Sequence, residues 1–192
     1  MRIKPIDIHV PIIIDNTTQF KSNIDIKWKF TKNIYGGYIY EVSDGVHCDY
    51  IGKIIKIEYI DDTDDYTAYD RVRNELIIAK LMSDEGIGPT IYDMCMNENE
   101  GIIIMEKYDG NLRQLMLSYF FDRTIPIENY LNDVAILVDK MHSLNIYHAD
   151  LHLRNIFYKG SALVIGDFGF SLRTDVQELK DSEQNNLGKF ID

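Results

Sequence analysis

Two short polar motifs in the C-terminal half of the chain carry the side chains best suited to chemistry. The first runs from His148 to Asn155 and reads HADLHLRN, and the second runs from Asp167 to Gly169 and reads DFG. A carboxylate such as that of Asp150 can orient a hydroxyl group and accept its proton. The oxygens of the amide and of the second carboxylate are ligands that Mg²⁺ prefers. In this order, the three groups suit phosphoryl transfer from a magnesium-bound nucleotide.

Each motif follows a segment whose pattern predicts a regular element. Apolar residues recur at helical spacing from Pro126 to His142, which predicts a helix before the first motif. The apolar run from Ala162 to Ile165 predicts a short buried strand that ends just before Asp167. Either motif alone is compatible with an ordinary turn, because Asp, Asn and Gly are common turn residues. Their joint occurrence behind two predicted elements favours the chemical interpretation.

The two motifs resemble those of the protein-kinase-like superfamily, and the resemblance covers about residues 28–175. It implies an α+β, two-lobed kinase-like fold with a reduced C-terminal lobe, in one domain of residues 1–192. Residues 28–105 would form the N-terminal lobe, and residues 106–192 the hinge and a truncated C-terminal lobe. Residues 1–27 lie outside the resemblance, and we expect them to add a strand or arm. The short tail after Gly169 is similar to minimal kinases of the Bud32 type and of large DNA viruses or bacterial effectors.

The resemblance implies ATP and Mg²⁺ as cofactors and gives the motif residues roles. Asp150 would orient the attacking hydroxyl, and Asn155 and Asp167 would bind Mg²⁺. His152 replaces the lysine usual at its position and could donate a hydrogen bond to the transferred phosphoryl group. His148 is expected to pack and to anchor backbone.

The segment Ile102–Leu112 resembles the family's fifth strand and interlobe hinge. By that alignment Met105 is the gatekeeper, and the backbone from Glu106 to Tyr108 would form the hydrogen bonds to adenine. A buried strand followed by an Asp-Gly turn would explain the same segment without a ligand. The expected nucleotide-binding set is Gly36, Gly37, Ile39, Ile54, Lys56, Met105, Glu106, Lys107 and Tyr108.

The family also uses a strand lysine on the phosphates, held by a carboxylate from a helix. The β-branched run from Tyr50 to Ile57 predicts the strand, and a following helix carries Glu75. Lys53 and Lys56 compete for the role. We assign it to Lys56, because two isoleucines precede it and its distance from Glu75 resembles the family spacing. A bulge near Gly52 would reverse this choice.

The chain departs from the family in three places. Only Gly37, with Gly36 beside it, matches the glycines of the phosphate-covering loop, so a looser lid or a plain hairpin turn is expected. Ala149 replaces an arginine that pairs with a phosphorylated activation segment, which argues against that form of control. Asn185 and Asn186 are expected to precede a short closing helix that carries Leu187 and Phe190.

These features favour a minimal serine/threonine protein kinase that acts on a protein substrate or needs an activating protein partner. A kinase-like binding module without catalysis is the alternative, and a small-molecule kinase is a further one. The net charge of −11 argues against a nucleic-acid partner. No segment is apolar enough to predict a membrane span. We expect a cytoplasmic protein, in a host cytoplasm if the chain is of viral or effector origin. The acidic run from Asp61 to Asp65 predicts a solvated loop.

Overall fold

The computed structural model describes residues 28–36, 38–59, 67–123 and 127–188. These residues form two compact units. The first contains the described residues up to Ile77 and the segment Ile91–Lys107. The second contains Ile78–Thr90 and the described residues from Tyr108 onward.

The first unit is built on an antiparallel sheet with strand order β1-β2-β3-β5-β4. The isoleucine-rich strands β3 and β5 lie inside the sheet, where β-branched side chains pack well. A helix, α1, follows β3 and continues into the second unit. The elements are β1 (Lys29–Tyr35), β2 (Ile39–Ser43), β3 (Tyr50–Lys56), a 3₁₀ turn (Ile57–Tyr59), α1 (Ala68–Asp84), β4 (Ile91–Met96) and β5 (Glu100–Glu106).

The two faces of the sheet are covered differently. On one face β5 approaches α1 at Gly101, where an added Cβ would lie 2.6 Å from the Val72 side chain and 2.8 Å from that of Leu76. Both side chains are fully buried, so only glycine permits this close contact. A small core covers the other face, and its members are Trp28, Val42, Cys95, Ile102 and Ile104, with Phe30, Tyr40, Tyr50 and Ile54 packed against them.

The second unit combines helices with short strands. Its helices beyond α1 are α2 (Leu112–Phe121), α3 (Ile127–Ser143) and α4 (Gln177–Gly188). A three-stranded sheet contains β6 (Gly110–Asn111), β8 (Ile156–Lys159) and β9 (Ala162–Ile165), and β7 (Ile146–Tyr147) pairs with β10 (Leu172–Arg173). A capping box starts α2, because the side chains of Asn111 and Gln114 each accept the other's backbone N–H.

The predicted α+β kinase-like fold is confirmed, and so are the helix before the first motif and the strand before the second. Helix α3 and strand β9 match those two predictions closely. The expected cap at Asn185 and Asn186 is wrong, because both residues lie inside α4. The N-terminal arm and the acidic run from Asp61 to Asp65 fall outside the described residues. None of the helices within the described ranges has the length and apolar character that crossing a membrane requires.

Candidate functional site

A lysine and a glutamate form a largely buried ion pair on the α1 side of the first unit's sheet. The Nζ atom of Lys53 lies 2.5 Å from Oε1 of Glu75, and their side chains are 19% and 8% exposed. Charges with so little access to water require a partner. Strand β3 and helix α1 therefore hold an ammonium group in a defined place.

The prediction that Glu75 holds Lys56 is wrong. Lys56 pairs instead with Glu100, which faces it across β3 and β5. Successive side chains of a strand point to opposite faces, and the two lysines are three positions apart. Strand β3 pairs without a register shift with both of its neighbours, so Lys53 faces α1 and Lys56 faces the other side of the sheet.

Ile54 lies on the other face of the sheet from Lys53, so the structure does not place this member of the expected nucleotide-binding set beside that lysine. It packs against the small core that contains Trp28 and Ile104. Ile51 shares the face of Lys53 instead, although our sequence analysis did not select it. The signal was present, because the triplet that ends at Lys53 has the same apolar-any-lysine pattern as the one that ends at Lys56.

Two of the other expected nucleotide contacts lie next to this pair across the sheet. Ile39 is opposite Lys53 on β2, and Met105 is opposite Ile51 on β5. Each position shares the face of the residue that it opposes, because directly opposed residues in an antiparallel ladder point to the same side. The face of the sheet that carries Lys53 therefore also carries Ile51, Ile39 and Met105.

The glycine turn and the hinge segment are built from local hydrogen bonds. Gly36 has φ +56° and the N–H of Tyr38 donates to the carbonyl of Tyr35 at 3.0 Å, a tight hairpin turn. Gly37 lies outside the described residues. In the hinge segment the backbone N–H of Lys107 donates to the carbonyl of Asp49 at 3.0 Å.

The side chain of Lys107 also makes an ion pair within the first unit. Its Nζ lies 2.7 Å from Oε1 of Glu41, and this hydrogen bond holds the pKa of the Glu41 carboxyl below its usual range. Glu106 ends β5 and Tyr108 begins the following segment of the second unit. The hinge segment is thus tied to β2 through a surface contact.

In the second unit, Asn155 orients the loop that carries Asp150. The side-chain Nδ2 of Asn155 donates to the carbonyl of Asp150 at 3.0 Å and lies 3.4 Å from its Oδ2. The Asp150 side chain remains 43% exposed. Because the amide nitrogen faces Asp150, the amide oxygen is the atom left for a cation.

His148 anchors the same loop from inside and is fully buried. Its Nε2 lies 3.0 Å from the carbonyl of Gly166, and its Nδ1 lies 3.3 Å from the backbone nitrogen of Asp150. A carbonyl can only accept and an amide N–H can only donate, so the ring is the neutral tautomer with its proton on Nε2. Burial lowers the pKa of His148, while the hydrogen bond to Gly166 opposes this shift.

The β8–β9 hairpin brings the two sequence motifs together. Ile156 and Ile165 are paired in its register, so the residues just outside the hairpin are neighbours. The N–H of Gly166 donates to the carbonyl of Asn155 at 2.8 Å. Asp167 follows with φ +65°, a left-handed conformation that costs energy in a residue other than glycine. Asn155 precedes β8 and Asp167 follows β9, so both lie at the open end of one hairpin.

His152 lies beside Asp150, where the sequence placed it. Its Nε2 is 3.8 Å from Oδ2 of Asp150, and the side chain is 39% exposed. Its Nδ1 is buried and has no hydrogen-bond partner among the described residues. A buried ring nitrogen without a partner is costly, which makes this histidine a site to test.

The second unit carries Asp150, Asn155 and Asp167 on and beside the β8–β9 hairpin. The first unit carries the Lys53–Glu75 pair on a five-stranded sheet. These groups define a kinase-like phosphotransferase. The sequence model for the protein kinase domain matches residues 35–186. The chain belongs to the protein kinase family.

Three relatives have informative names. A probable bifunctional tRNA threonylcarbamoyladenosine biosynthesis protein of Methanobrevibacter smithii is 32% identical over 149 residues, 72% of this chain and 25% of that protein. A protein of the same name from Thermoplasma acidophilum is 28% identical over 119 residues, 62% of this chain and 21% of that protein. A probable serine/threonine-protein kinase PLK of Dictyostelium discoideum is 25% identical over 139 residues, 68% of this chain and 13% of that protein. The chain thus spans about a quarter or less of the relatives it matches.

Proposed function

We propose that the chain transfers the γ-phosphoryl group of ATP, with Mg²⁺, to serine or threonine hydroxyls of a protein. The observation that carries the proposal is the oriented Asp150. Its backbone is bonded to Asn155 and His148, and its carboxylate remains accessible. A carboxylate held in this way can take the proton of an incoming hydroxyl, which is the group that phosphoryl transfer requires.

In the second unit, Asp150 would position the hydroxyl and receive its proton. His152, within 3.8 Å of that carboxylate, would donate a hydrogen bond to the phosphoryl oxygens that gain charge. In the first unit, Lys53 would place its ammonium on the nucleotide phosphates, with Glu75 holding it in place. Lys53 takes this role instead of Lys56, because Lys53 pairs with the carboxylate of the helix and Lys56 pairs with Glu100.

The chemistry of the donor set fits Mg²⁺. Asp167 offers a carboxylate and Asn155 an amide oxygen, and hard oxygen ligands of this kind are the ones that Mg²⁺ takes, usually one or two from the protein. The bound cation would neutralise charge on the phosphates. Both residues lie at the open end of the β8–β9 hairpin, which supports their assignment to one cation.

The direct test is transfer itself. Purified chain would be incubated with radiolabelled ATP, Mg²⁺ and a generic protein acceptor, and the modified side chain identified by mass spectrometry. We expect phosphoserine or phosphothreonine, and no transfer by the Asp150→Asn variant. If MgATP raised the melting temperature without any transfer, the chain would be a nucleotide-binding module. Transfer to small molecules but never to protein would instead indicate a small-molecule kinase.

A second candidate function is favoured by the names of two relatives. The chain would serve in tRNA threonylcarbamoyladenosine biosynthesis, in the place of the segment that it matches in those two proteins. The test is to exchange the matching segment of the Methanobrevibacter smithii protein for this chain and to measure threonylcarbamoyladenosine in tRNA. Retention of the modified nucleoside would support this candidate, and its loss in a well-folded exchange would reject it.

A further inference from the structure

Two arginines with exposed side chains, Arg113 and Arg154, lie beside the loop that carries Asp150. Arg154 follows Asp150 by four positions and directly precedes Asn155. Arg113 meets the same loop through its backbone, because its N–H donates to the carbonyl of Leu153 at 3.1 Å. The two arginines thus come from separate segments of the chain to one part of the second unit.

The register of the three-stranded sheet decides the end of the hairpin at which Arg113 lies. Strand β6 runs antiparallel to β8, and Asn111 is opposite Phe157. Along β6 the chain therefore moves away from the β8–β9 turn and toward the open end of the hairpin, where Asn155 lies. Arg113 comes two positions after Asn111, so the first turn of α2 lies at the same end as the candidate catalytic residues.

Arg113 occupies a position that does not favour a cation. It is the second residue of α2, and the first turn of a helix carries partial positive charge from the aligned peptide dipoles. No acidic residue in the first turn of α2 offsets this charge. The charge of Arg113 therefore does not stabilise the helix, which favours a role in binding over a role in folding.

The side chains of both arginines are available to a ligand. Among the described residues, neither guanidinium makes a hydrogen bond or an ion pair. The acid that is closest to Arg113 in the sequence is Asp109, and its carboxylate already accepts the N–H of Gly160 at 2.9 Å in the β8–β9 turn. The positive charge of the pair is therefore not neutralised by that acid.

The chemistry of arginine and the charge of the chain indicate the class of ligand. A guanidinium binds a carboxylate through two parallel N–H groups and keeps its charge at physiological pH. The net charge of the chain is −11, so most of its surface repels an acidic ligand, and attraction requires a local group of cations. Two arginines form a compact group that suits a short acidic peptide segment. A nucleic acid would need a more extended basic surface.

We propose that Arg113 and Arg154 select acceptor proteins that carry acidic side chains close to the serine or threonine to be modified. Arg154 is the neighbour of Asn155, whose side chain contacts Asp150. An acid within about three positions of the acceptor hydroxyl, about 10 Å along an extended peptide, is therefore within reach of the pair. The arginines bind the acceptor and take no part in the transfer step. This inference rests on the proposed function and names the class of protein that it would modify.

Three peptides that differ only around a single serine test this selection. The three positions on each side of the serine are acidic in the first peptide, alanine in the second and lysine in the third. We expect kcat/KM to be about tenfold higher for the acidic peptide than for the alanine peptide, and lowest for the lysine peptide. Arg113→Ala and Arg154→Ala should each lower kcat/KM for the acidic peptide by about fivefold, the upper range for an exposed ion pair. The loss should lie in KM and not in kcat, because binding to the ground state is removed.

Arg123→Ala is the matched control for the two alanine variants. Arg123 is also exposed and lies ten positions from Arg113, about 15 Å away along α2. This variant should keep the wild-type preference among the peptides. Arg154→Glu reverses the charge beside the loop and should make the lysine peptide a better acceptor than the acidic one. A folding defect cannot produce such a gain. Salt at about 1 M, where the screening length is about 3 Å, should reduce the wild-type preference.

Binding of peptides that cannot be modified separates this inference from the proposed function. The acidic and lysine peptides are made with alanine in place of serine, and their affinities are measured by fluorescence anisotropy. If no peptide is phosphorylated but the acidic peptide binds through both arginines, the proposed transfer is rejected and the binding role of the arginines stands. Equal affinity and equal kcat/KM for the two peptides in the wild type would overturn the inference, as would an equal loss in Arg123→Ala. An RNA oligonucleotide that binds through the same two arginines, without any preference for the acidic peptide, would also overturn it.

Discussion

The choice between the two lysines of β3 can be tested with one substitution made twice. Lys53→Met removes the ammonium that Glu75 holds, and Lys56→Met removes the ammonium that Glu100 holds. Both changes keep an unbranched side chain on the same strand and break an ion pair with a buried acid. Only the first should lower transfer strongly, because Lys53 is the one of these two lysines that lies on the α1 side of the sheet.

The sizes of the two effects follow from the structure. Loss of one preorganised cation should lower turnover by about 10²–10³, as for the loss of a single charge-stabilising donor. Leaving Glu75 without its partner at 8% exposure should also reduce stability, by roughly 3–5 kcal/mol for a fully buried pair. Because the Lys53 side chain is 19% exposed, water reaches the pair, and the loss of stability should lie near the lower end of that range. The double variant Lys53→Met/Glu75→Gln should regain stability without regaining transfer.

The assay pairs transfer from labelled ATP with thermal unfolding of each variant. We expect Lys53→Met to lose transfer while it stays folded, and Lys56→Met to lose some stability while it keeps most of its transfer. A larger loss of transfer in Lys56→Met than in Lys53→Met would refute the reasoning from strand register. Recovery of transfer in the double variant would show that the defect was one of folding.

Three further outcomes are expected. Saturating ATP with Mg²⁺ should stabilise the wild type by RT ln(1 + [L]/Kd) and so raise its melting temperature. Asp167→Asn should weaken this shift, whereas Asp150→Asn should keep the shift and lose transfer. Equal binding and equal transfer in all three proteins would contradict the assignment of the site. Burial lowers the pKa of His148, so the unfolded state takes up a proton near pH 6.5 before the folded state does. Its contribution to stability should therefore be complete above about pH 6.5 and fall at lower pH, and urea titrations should find a shallower pH dependence in His148→Asn. Gly101→Ala should destabilise the first unit by about 1–3 kcal/mol, because its Cβ would meet the buried side chain of Val72; an unchanged urea midpoint would refute this contact.

Much of the second unit could be predicted because its signals are local. The apolar spacing before the first motif follows the 3.6-residue period, and α3 formed there. The run before Asp167 formed β9, whose pairing with β8 places Asn155 beside Gly166. The two strands of a short hairpin are neighbours in the sequence, so their pairing brings together the motifs on either side without a contribution from distant segments.

The contacts of Glu183, on α4, with the loop that carries Asp150 could not be predicted in the same way. Glu183 is one of several acids on a polar helix, and Glu178 on the same helix is exposed. What distinguishes Glu183 is contact with backbone N–H groups more than thirty positions away in the chain. Backbone groups carry no sequence signature, so only the packed structure reveals the pairing.

By itself the sequence determined the family-like order of the chemical groups, the strand that carries both lysines and the helix that carries Glu75. It did not decide which lysine meets that glutamate, because each lysine stands two positions after an isoleucine. The tertiary structure decided it through the side of the sheet on which α1 packs. Side-chain direction alternates along a strand, so that packing turns Lys53 toward Glu75 and Lys56 toward Glu100.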